Sequence, residues 1–533
     1  MHTDQDVRRS GTGEVPAGGP PAGRAGWRWA WLAAGTLLWL LAVHGRFDVA
    51  VAAWLSPVFL LRFARTGPAL NGLLMVWAAS ALAGMFWMVE TAIPMTAITV
   101  LGVIALGTLT VVPYVVDRLV TPAAGTATAL LLFPAALAAC EFLMTVISPF
   151  GTAFGVPAAT QHDNLALLQV VSVTGPYGVG FLIGWFATVA NHVWESRVWE
   201  NRTRENRVWE NRRRARTVVG SFSAVLLLLL LAGGARLAFF APDGDTVRAA
   251  GISPDTSVTR ELRGVIGEDS TPQKVAGQDQ AAVRAAFGKV NANLLARTRE
   301  AAQAGAEIVM WSEQAAGVLA ADERAFLSQV AAVARENGVY LQAAVSLLLP
   351  QAPYAANHTY MFDPTGRQVW VYDKAHPIPG LEAYPPGDGV VPVTPTPYGR
   401  LATVICFDAD FPELMRVDAD IMIVPARDWA EIGPVHSQKA NLRSIENGYA
   451  MIRQGEFGVS GAFDPQGRVL AAHDYGGADR HVVFSDVPTR GTTTVYRVVG
   501  DAFAWLCLAG TAAAIVVSVH RRRSRRGDSR RAG

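Results

Sequence analysis

Leu401-Ala-Thr-Val-Ile-Cys-Phe-Asp-Ala-Asp-Phe-Pro-Glu413 reads as a buried strand that delivers a cysteine to a turn. The five residues from Leu401 to Ile405 lean apolar, and Cys406 stands where that strand is expected to end. Asp410 is a good helix N-cap, and Pro412 suits the first turn of a following helix. A thiol between a strand end and a helix N-terminus feels the positive end of the helix dipole, which favours thiolate over thiol. That is a place for a nucleophile. The competing reading is a buried cysteine serving as a small hydrophobe, and it has to be weighed against the remainder of the chain.

At 533 residues there is room for two or three domains. Hydrophobic residues make up 51% and the mean hydropathy is positive, which is unusual for a soluble protein. The net charge of +2 is small but unevenly placed, with arginine crowded into a few short segments. The three cysteines are Cys140, Cys406 and Cys507. Cys140 and Cys507 sit inside apolar runs, so Cys406 is alone in the polar part and no disulfide framework is available there. No nucleic-acid partner is expected.

Residues 1–26 read as a polar, Gly- and Pro-rich cytoplasmic leader without fixed structure. From 27 to 240 seven apolar runs follow, near 27–44, 48–64, 69–89, 95–117, 124–147, 165–192 and 217–240. Each is long enough for the roughly 30 Å hydrocarbon core, the second being the weakest. An eighth run, 499–519, precedes a basic tail at 520–533. On this count of eight, Arg62, Arg65, Arg118, segment 193–216 and the tail all fall on one side. Segment 193–216 alone carries eight arginines against four glutamates. The positive-inside rule makes that side cytoplasmic and puts residues 245–488 outside. Within 193–216, Arg197-Val-Trp-Glu-Asn201 returns as Arg207-Val-Trp-Glu-Asn211. This is either a duplicated linker that fixes topology or a surface helix whose Trp199 and Trp209 dip into lipid headgroups.

The 245–488 stretch alternates strand and helix, an α/β pattern. Strands are expected at Thr246–Gly251, Ala306–Trp311, Val339–Leu347 and Ile421–Val424, and helices at Ala281–Ala304, Ala321–Asn337 and His436–Glu446. Hairpins are expected about Asp363-Pro-Thr-Gly366 and Asp464-Pro-Gln-Gly467. Three ionisable residues end predicted strands: Glu313, Lys374 and Cys406. Each alone has a dull explanation. Together they suit acyl transfer, since a carboxylate can take the thiol proton, the thiolate can attack an acyl carbon, and the ammonium can stabilise the oxyanion.

At these residues the chain resembles a known family. Trp311-Ser-Glu313, Tyr372-Asp-Lys-Ala-His376 and Ile405-Cys-Phe-Asp408 look like the Glu–Lys–Cys blocks of the nitrilase (carbon–nitrogen hydrolase) superfamily. With eight spans around them, the resemblance narrows to the apolipoprotein N-acyltransferases. Leu168–Gly178, Asn441–Glu446 with Arg453 and Gly458–Ser460, and Thr494–Asp501 are similar to further blocks of that family. The resemblance implies a helical membrane bundle of about eight transmembrane helices carrying a nitrilase-like αββα sandwich on the outer face of the cytoplasmic membrane. It implies Glu313 as general base, Lys374 as oxyanion stabiliser and Cys406 as nucleophile. The Phe407 backbone N–H would be a second oxyanion donor, with Glu382 and Asp408 in support and His376 a loop residue. It implies no cofactor and no metal, a monomer, a phospholipid acyl donor and a diacylglyceryl apolipoprotein acceptor. The other enzyme reading is a membrane-tethered amidase in which water takes the acyl group, and a third is a non-catalytic lipid- or protein-binding relic. The chain departs from the family at Ser312, Phe407-Asp408, Gln454-Gly-Glu456 and Ser148–Gly155.

Overall fold

The computed structural model describes residues 23–531 apart from positions 46, 201–205, 243 and 269. The N-terminal half is a helical bundle: α1 (Gly23–Leu40), α2 (Ala50–Arg65), α3 (Ala69–Glu90), α4 (Ala97–Val120), α5 (Thr126–Ile147), the short α6 (Leu165–Leu168) and α7 (Val171–Thr174), α8 (Tyr177–Glu200) and α9 (Asn206–Phe239). Among the described residues α3, α4, α5, the part of α9 from Arg212, and Ala502–Arg522 near the C-terminus are each long and apolar enough to cross a membrane.

Two expectations are corrected here. The run 165–192 is not one continuous span: α6 and α7 meet α8 at a bend of 114°. The chain turns at Gly175, whose φ is +64°, followed by Pro176, which has no N–H to continue a helical ladder. Among the described residues five helices pass the length and composition test, or six if that broken pair is one span, where hydropathy alone gave eight runs. At sixteen residues with Pro57 inside it, α2 is short for a bilayer that takes about 20. The 193–216 segment is largely helical rather than a loop, because α8 runs through Glu200 and α9 begins at Asn206. The predicted leader is almost wholly outside the described residues, and the two copies of the Arg-Val-Trp-Glu-Asn repeat are outside the described side chains. On that end of the bundle Arg65 forks onto Asp117 at 2.6 and 2.9 Å, and Arg62 meets Glu195 at 3.1 Å.

The C-terminal half contains β1 (Thr246–Ser253), α10 (Thr256–Ile266), α11 (Pro272–Ala276), α12 (Gln280–Gln303), β2 (Ile308–Trp311), β3 (Ala316–Leu319), α13 (Glu323–Asn337), β4 (Tyr340–Leu348), β5 (Ala355–Phe362) and β6 (Gln368–Asp373). After β6 come β7 (Val393–Thr396), β8 (Gly399–Thr403), α14 (Pro412–Met415), β9 (Ile421–Arg427), α15 (Val435–Asn447), β10 (Ala450–Glu456), β11 (Val459–Phe463), β12 (Val469–Asp474) and β13 (His481–Pro488). The short α16 (Val495–Val499) leads into the last long helix, α17 (Ala502–Arg531), which continues into the predicted tail.

One sheet has the order β13-β1-β2-β4-β5-β6 with β3 beside β4, and the other has the order β12-β11-β10-β9-β8-β7. They pack face to face. Val247, Ala249, Ile308 and Met310 of the first meet Leu401, Ile421, Ile423 and Ile452 of the second. The alternate residues point the other way: Ala250, Ile252, Val309 and Trp311 pack with Val290 and Leu294 of α12 and Val330 of α13. Met422 and Val424 pack on the opposite outer face with Ala440 of α15. Strands buried on both faces read as continuous apolar runs, which is why these were legible in the sequence. The architecture is a four-layer αββα sandwich beside a helical bundle.

The two halves are tied by buried contacts. Gln169, between α6 and α7, donates from Nε2 to the Gln466 carbonyl at 3.0 Å. Leu167 and Val171 share a core with Leu442 and Ile445 of α15. Trp429 donates its indole N–H to the Thr91 carbonyl at the end of α3. The loop after α5 donates Thr152 N–H to the Asp410 carbonyl at 2.8 Å. Beside it Gly151 has φ +53°, and a Cβ there would run into that same Asp410 carbonyl. Gly151→Ala is therefore expected to cost about 1–3 kcal/mol from backbone strain alone. It should lower the apparent melting temperature of the detergent-solubilised protein, and an unchanged melting temperature would show that this contact does not hold the halves together.

Candidate active site

Three chain segments converge where strand ends of both sheets meet. Glu313 follows β2 after Ser312, and its own N–H donates to the Ala426 carbonyl of β9 at 3.2 Å. Lys374 follows β6, with its N–H on the Asn357 carbonyl at 3.1 Å. Cys406 follows β8 by three residues and opens a short 3₁₀ turn, Cys406–Asp410. The predicted trio is thus brought together, and all three side chains are buried.

Glu313 is bonded at both oxygens. Its Oε1 accepts from Lys374 Nζ at 2.8 Å and from Asn357 Nδ2 at 2.7 Å, and its Oε2 accepts from the Arg427 N–H at 3.0 Å. The Cys406 thiol is close enough to feel the charge of that carboxylate. Lys374 Nζ lies equally close, 2.8 Å, to Glu382 Oε1, and Glu382 is held in turn by the Ile378 N–H at 2.7 Å. Cys406 Sγ is 3.8 Å from the Arg427 carbonyl. The Phe407 N–H makes no hydrogen bond to any described residue.

Asp408 is fully buried and holds the cysteine turn against the lysine strand. Its carboxylate accepts from the Ile405 N–H at 3.0 Å, from Tyr372 Oη at 2.9 Å, and from the N–H groups of Ala375 and His376 at 3.3 and 2.8 Å. His376 stacks on Phe411 with centroids 3.6 Å apart. Beneath the turn, Arg453 grips Asp428 with two bonds of 2.7 and 2.8 Å, and His436 adds a third at 2.8 Å.

The expected electrostatics of the thiol are corrected by this geometry. Asp410 caps no helix: its carboxylate lies 3.1 Å from Lys439 Nζ and accepts from Thr152 Oγ1 at 3.0 Å. The helix that follows has only four residues, too short to present a useful dipole. Burial pushes the Cys406 thiol well above its ordinary range, the Glu313 charge adds to that, and Lys374 only partly opposes it. These surroundings favour the thiol over the thiolate. Burial likewise raises Glu313, with Lys374 pulling it back and Glu382 pushing it further up. Burial would lower Lys374, but the carboxylates of Glu313 and Glu382 oppose it, and the ammonium is held well above its ordinary value. The site thus brings together an ammonium, a thiol and a carboxylate whose affinity for a proton is raised above the ordinary glutamate range.

Sequence reasoning missed four contributors: Asn357, Tyr384, Gln314 and the backbone of Arg427. Tyr384 Oη accepts from Gln314 Nε2 at 3.1 Å and from Asn357 Nδ2 at 3.4 Å, closing the ring around Glu313. No local signal marked them: even Asn357 is only the first of three consecutive polar residues, Asn357-His358-Thr359, in β5. Gln314, Cys406 and Phe457 all have left-handed backbones, with φ of +55°, +48° and +65°. Such strain in non-glycine residues gathers at functional sites.

Comparison with known proteins agrees with both halves. Residues 274–491 match the carbon–nitrogen hydrolase family model, and residues 26–189 match the apolipoprotein N-acyltransferase N-terminal domain. The chain is 25% identical over 421 residues to an apolipoprotein N-acyltransferase of Geobacter metallireducens, covering 71% of this chain and 74% of the relative. A relative of the same name from Bradyrhizobium diazoefficiens is 25% identical over 399 residues, 68% of either chain. The match to the one from Rhodopseudomonas palustris is 28% over 228 residues and spans 42% of that protein. Among solved structures, an amidase from Nesterenkonia sp. is 19% identical with a TM-score of 0.38, covering 49% of this chain and 96% of its own. With one model matching the helical half and the other the sandwich, the chain belongs to the apolipoprotein N-acyltransferase family, the membrane-embedded branch of the carbon–nitrogen hydrolases.

Proposed function

We propose that this protein transfers a fatty acyl chain from a phospholipid, through a thioester on Cys406, to the α-amine of the diacylglyceryl-cysteine of apolipoproteins. In this reading the sandwich faces outward from the cytoplasmic membrane, as the arginine distribution predicts. The observation that carries it is the contact of Glu313, Lys374 and Cys406 in a buried site whose cysteine turn is seated on the loop of the helical bundle. Phe150 and Ala153 of that loop pack against the cluster that contains Cys406 and Phe407. Phe154, stacked edge-on to Phe150, lines an apolar cavity among α2 to α5 with Leu60, Trp87, Val103 and Met144. Both substrates are lipids of one leaflet. A site seated on the bundle spares the cost of extracting either chain, about 0.8 kcal/mol per CH₂.

The chemistry follows from the contacts. As the ester carbonyl carbon meets Cys406 Sγ, the thiol proton passes to Glu313 and the C–S bond forms. The oxyanion is met by Lys374 Nζ and the free Phe407 N–H. Collapse breaks the ester C–O bond, and the Glu313 proton leaves on the lysophospholipid oxygen. The acceptor amine then attacks the thioester carbon, its proton goes to Glu313, and the returning thiolate takes that proton as the amide is released. Keeping Cys406 a thiol between turnovers protects it from oxidation, which acts on thiolates.

Mass spectrometry of a model lipoprotein's N-terminal cysteine tests the overall reaction. Cells carrying the wild-type protein should show one added amide-linked chain, and cells carrying Cys406→Ala should show none. Transfer of the chain to water alone would favour the amidase reading. Glu313→Gln should slow acyl-enzyme formation by about 10²–10⁴-fold in single-turnover measurements. The pH profile of the same step should fall away on the acid side above the ordinary glutamate value of about 4.3, because Glu313 must be ionised to accept a proton and its affinity is raised. An acid limb at or below that value would remove Glu313 as the base. No alkaline loss from Lys374 is expected within its ordinary range, since its ammonium is held above it.

A further inference from the structure

Arg427 ends β9 with its backbone in the site and its side chain outside it. The backbone N–H is on Glu313 and the carbonyl faces Cys406 Sγ. The guanidinium is 42% exposed and extends over the rim. There Nη1 lies 3.4 Å from Gln314 Oε1, Nε lies 3.8 Å from Glu456 Oε2, and Cζ sits 5.4 Å from the Phe457 ring centroid. Arg263, from α10, brings a second guanidinium over that ring at 4.8 Å. Two cations therefore lie against one aromatic ring, and both act on the buried carboxylate of Glu456. Burial raises Glu456, with Arg427 and Arg263 opposing. Among the described residues the one ion pair made by these two guanidinium groups is Arg427 with Glu456.

Like charges are not gathered at a rim without something to bridge them. A guanidinium whose face is on an aromatic ring presents its N–H groups sideways; Arg427 uses Nη1 on Gln314 and turns Nε toward Glu456, which leaves Nη2 as the edge that can meet a phosphate oxygen. Placement matters as much as charge. Arg427 lies one residue's length from the sulfur, and two residues later Trp429 is anchored on Thr91 in the bundle's α3–α4 connection. In a glycerophospholipid the phosphate and the scissile ester are separated by the glycerol carbons alone. A lipid whose ester carbon is at Cys406 Sγ would carry its phosphate at this rim.

Resting on the phospholipid-donor reading above, we infer that Arg427, with Arg263 beside it over Phe457, is the docking point for the phosphate of the donor lipid. The pair sorts donors by the presence of that phosphate and takes no part in the covalent steps.

The test compares two donors with the same chains, dipalmitoyl-phosphatidylglycerol and dipalmitoylglycerol, each in detergent micelles with the full-length protein. Acylation of Cys406 is followed by intact mass against donor concentration. For Arg427→Gln, the ratio of acylation efficiencies, phospholipid over diacylglycerol, should fall about tenfold or more, chiefly through a higher half-saturating phospholipid concentration. Arg427→Lys, which keeps the charge but not the fork, should recover part of that ratio. Both donors are read on one preparation, so the ratio does not depend on how much of a variant is folded. Equal loss with both donors, or no change in the ratio, would overturn the phosphate site while leaving the acyl-transfer reading intact. A wild-type protein that forms no acyl-enzyme from the phospholipid would overturn the donor reading and this site with it.

Discussion

An ammonium held out of water between two carboxylates organises this molecule. Lys374 reaches Glu313 and Glu382 at 2.8 Å each, and neither it nor Glu313 is open to solvent. Taking such charges out of water costs several kcal/mol per ion, and losing one partner of a buried pair costs about 3–5 kcal/mol. The trio is thus bound together by mutual need before any substrate arrives. Its charge also explains the thiol. One cation and two anions already leave the pocket with a net negative charge, so a thiolate at Cys406 would be a third anion beside one cation. In the proposed reaction the proton stays on sulfur until an acyl carbon arrives, and Glu313, whose charge the thiol feels, is the group assigned to take it.

The site is built by the sandwich but seated by the helical half. Asp410, at the end of the cysteine turn, is gripped by Thr152 from the loop after α5 and by Lys439 from α15. Lys439 Nζ also approaches the Ala153 carbonyl, at 3.4 Å. Gln466 reaches the Phe240 carbonyl at the end of α9, and α6 and α7 lie against α15. A membrane half that were only an anchor would need none of these contacts with the cysteine turn and its neighbours. This physical continuity is what links a lipid chemistry to a fold of carbon–nitrogen hydrolases.

How much of this could be read beforehand depended on range. Ile308–Trp311 and Ile421–Val424 are apolar on both faces, and α12 and α13 keep a 3–4 apolar spacing, so they were legible. β10 was not, because Arg453, Gln454 and Glu456 interrupt its pattern; all three are buried, and their partners Asp428, Ser253 and Arg427 lie 25 to 201 residues away for the first two. Glu313, Lys374 and Cys406 were legible as strand-end ionisable residues. The N-cap assigned to Asp410 failed for the same reason that β10 was missed. Its side chain is claimed by Thr152, 258 residues away, and that outweighs a local capping preference. The break at Gly175-Pro176 carried its own local signal, a glycine free to take φ +64° before a proline, yet hydropathy alone joined the two halves into one span.

The relay through sulfur is open to direct observation on the purified protein. Incubation with phospholipid alone should add the mass of one acyl chain to the peptide carrying Cys406, and hydroxylamine should remove it, as a thioester requires. Subsequent addition of a diacylglyceryl-cysteine peptide should clear that mass from Cys406 and place it on the peptide's N-terminus in equal amount. Acylated peptide appearing without a prior adduct on Cys406, or an adduct that the peptide cannot discharge, would contradict the relay.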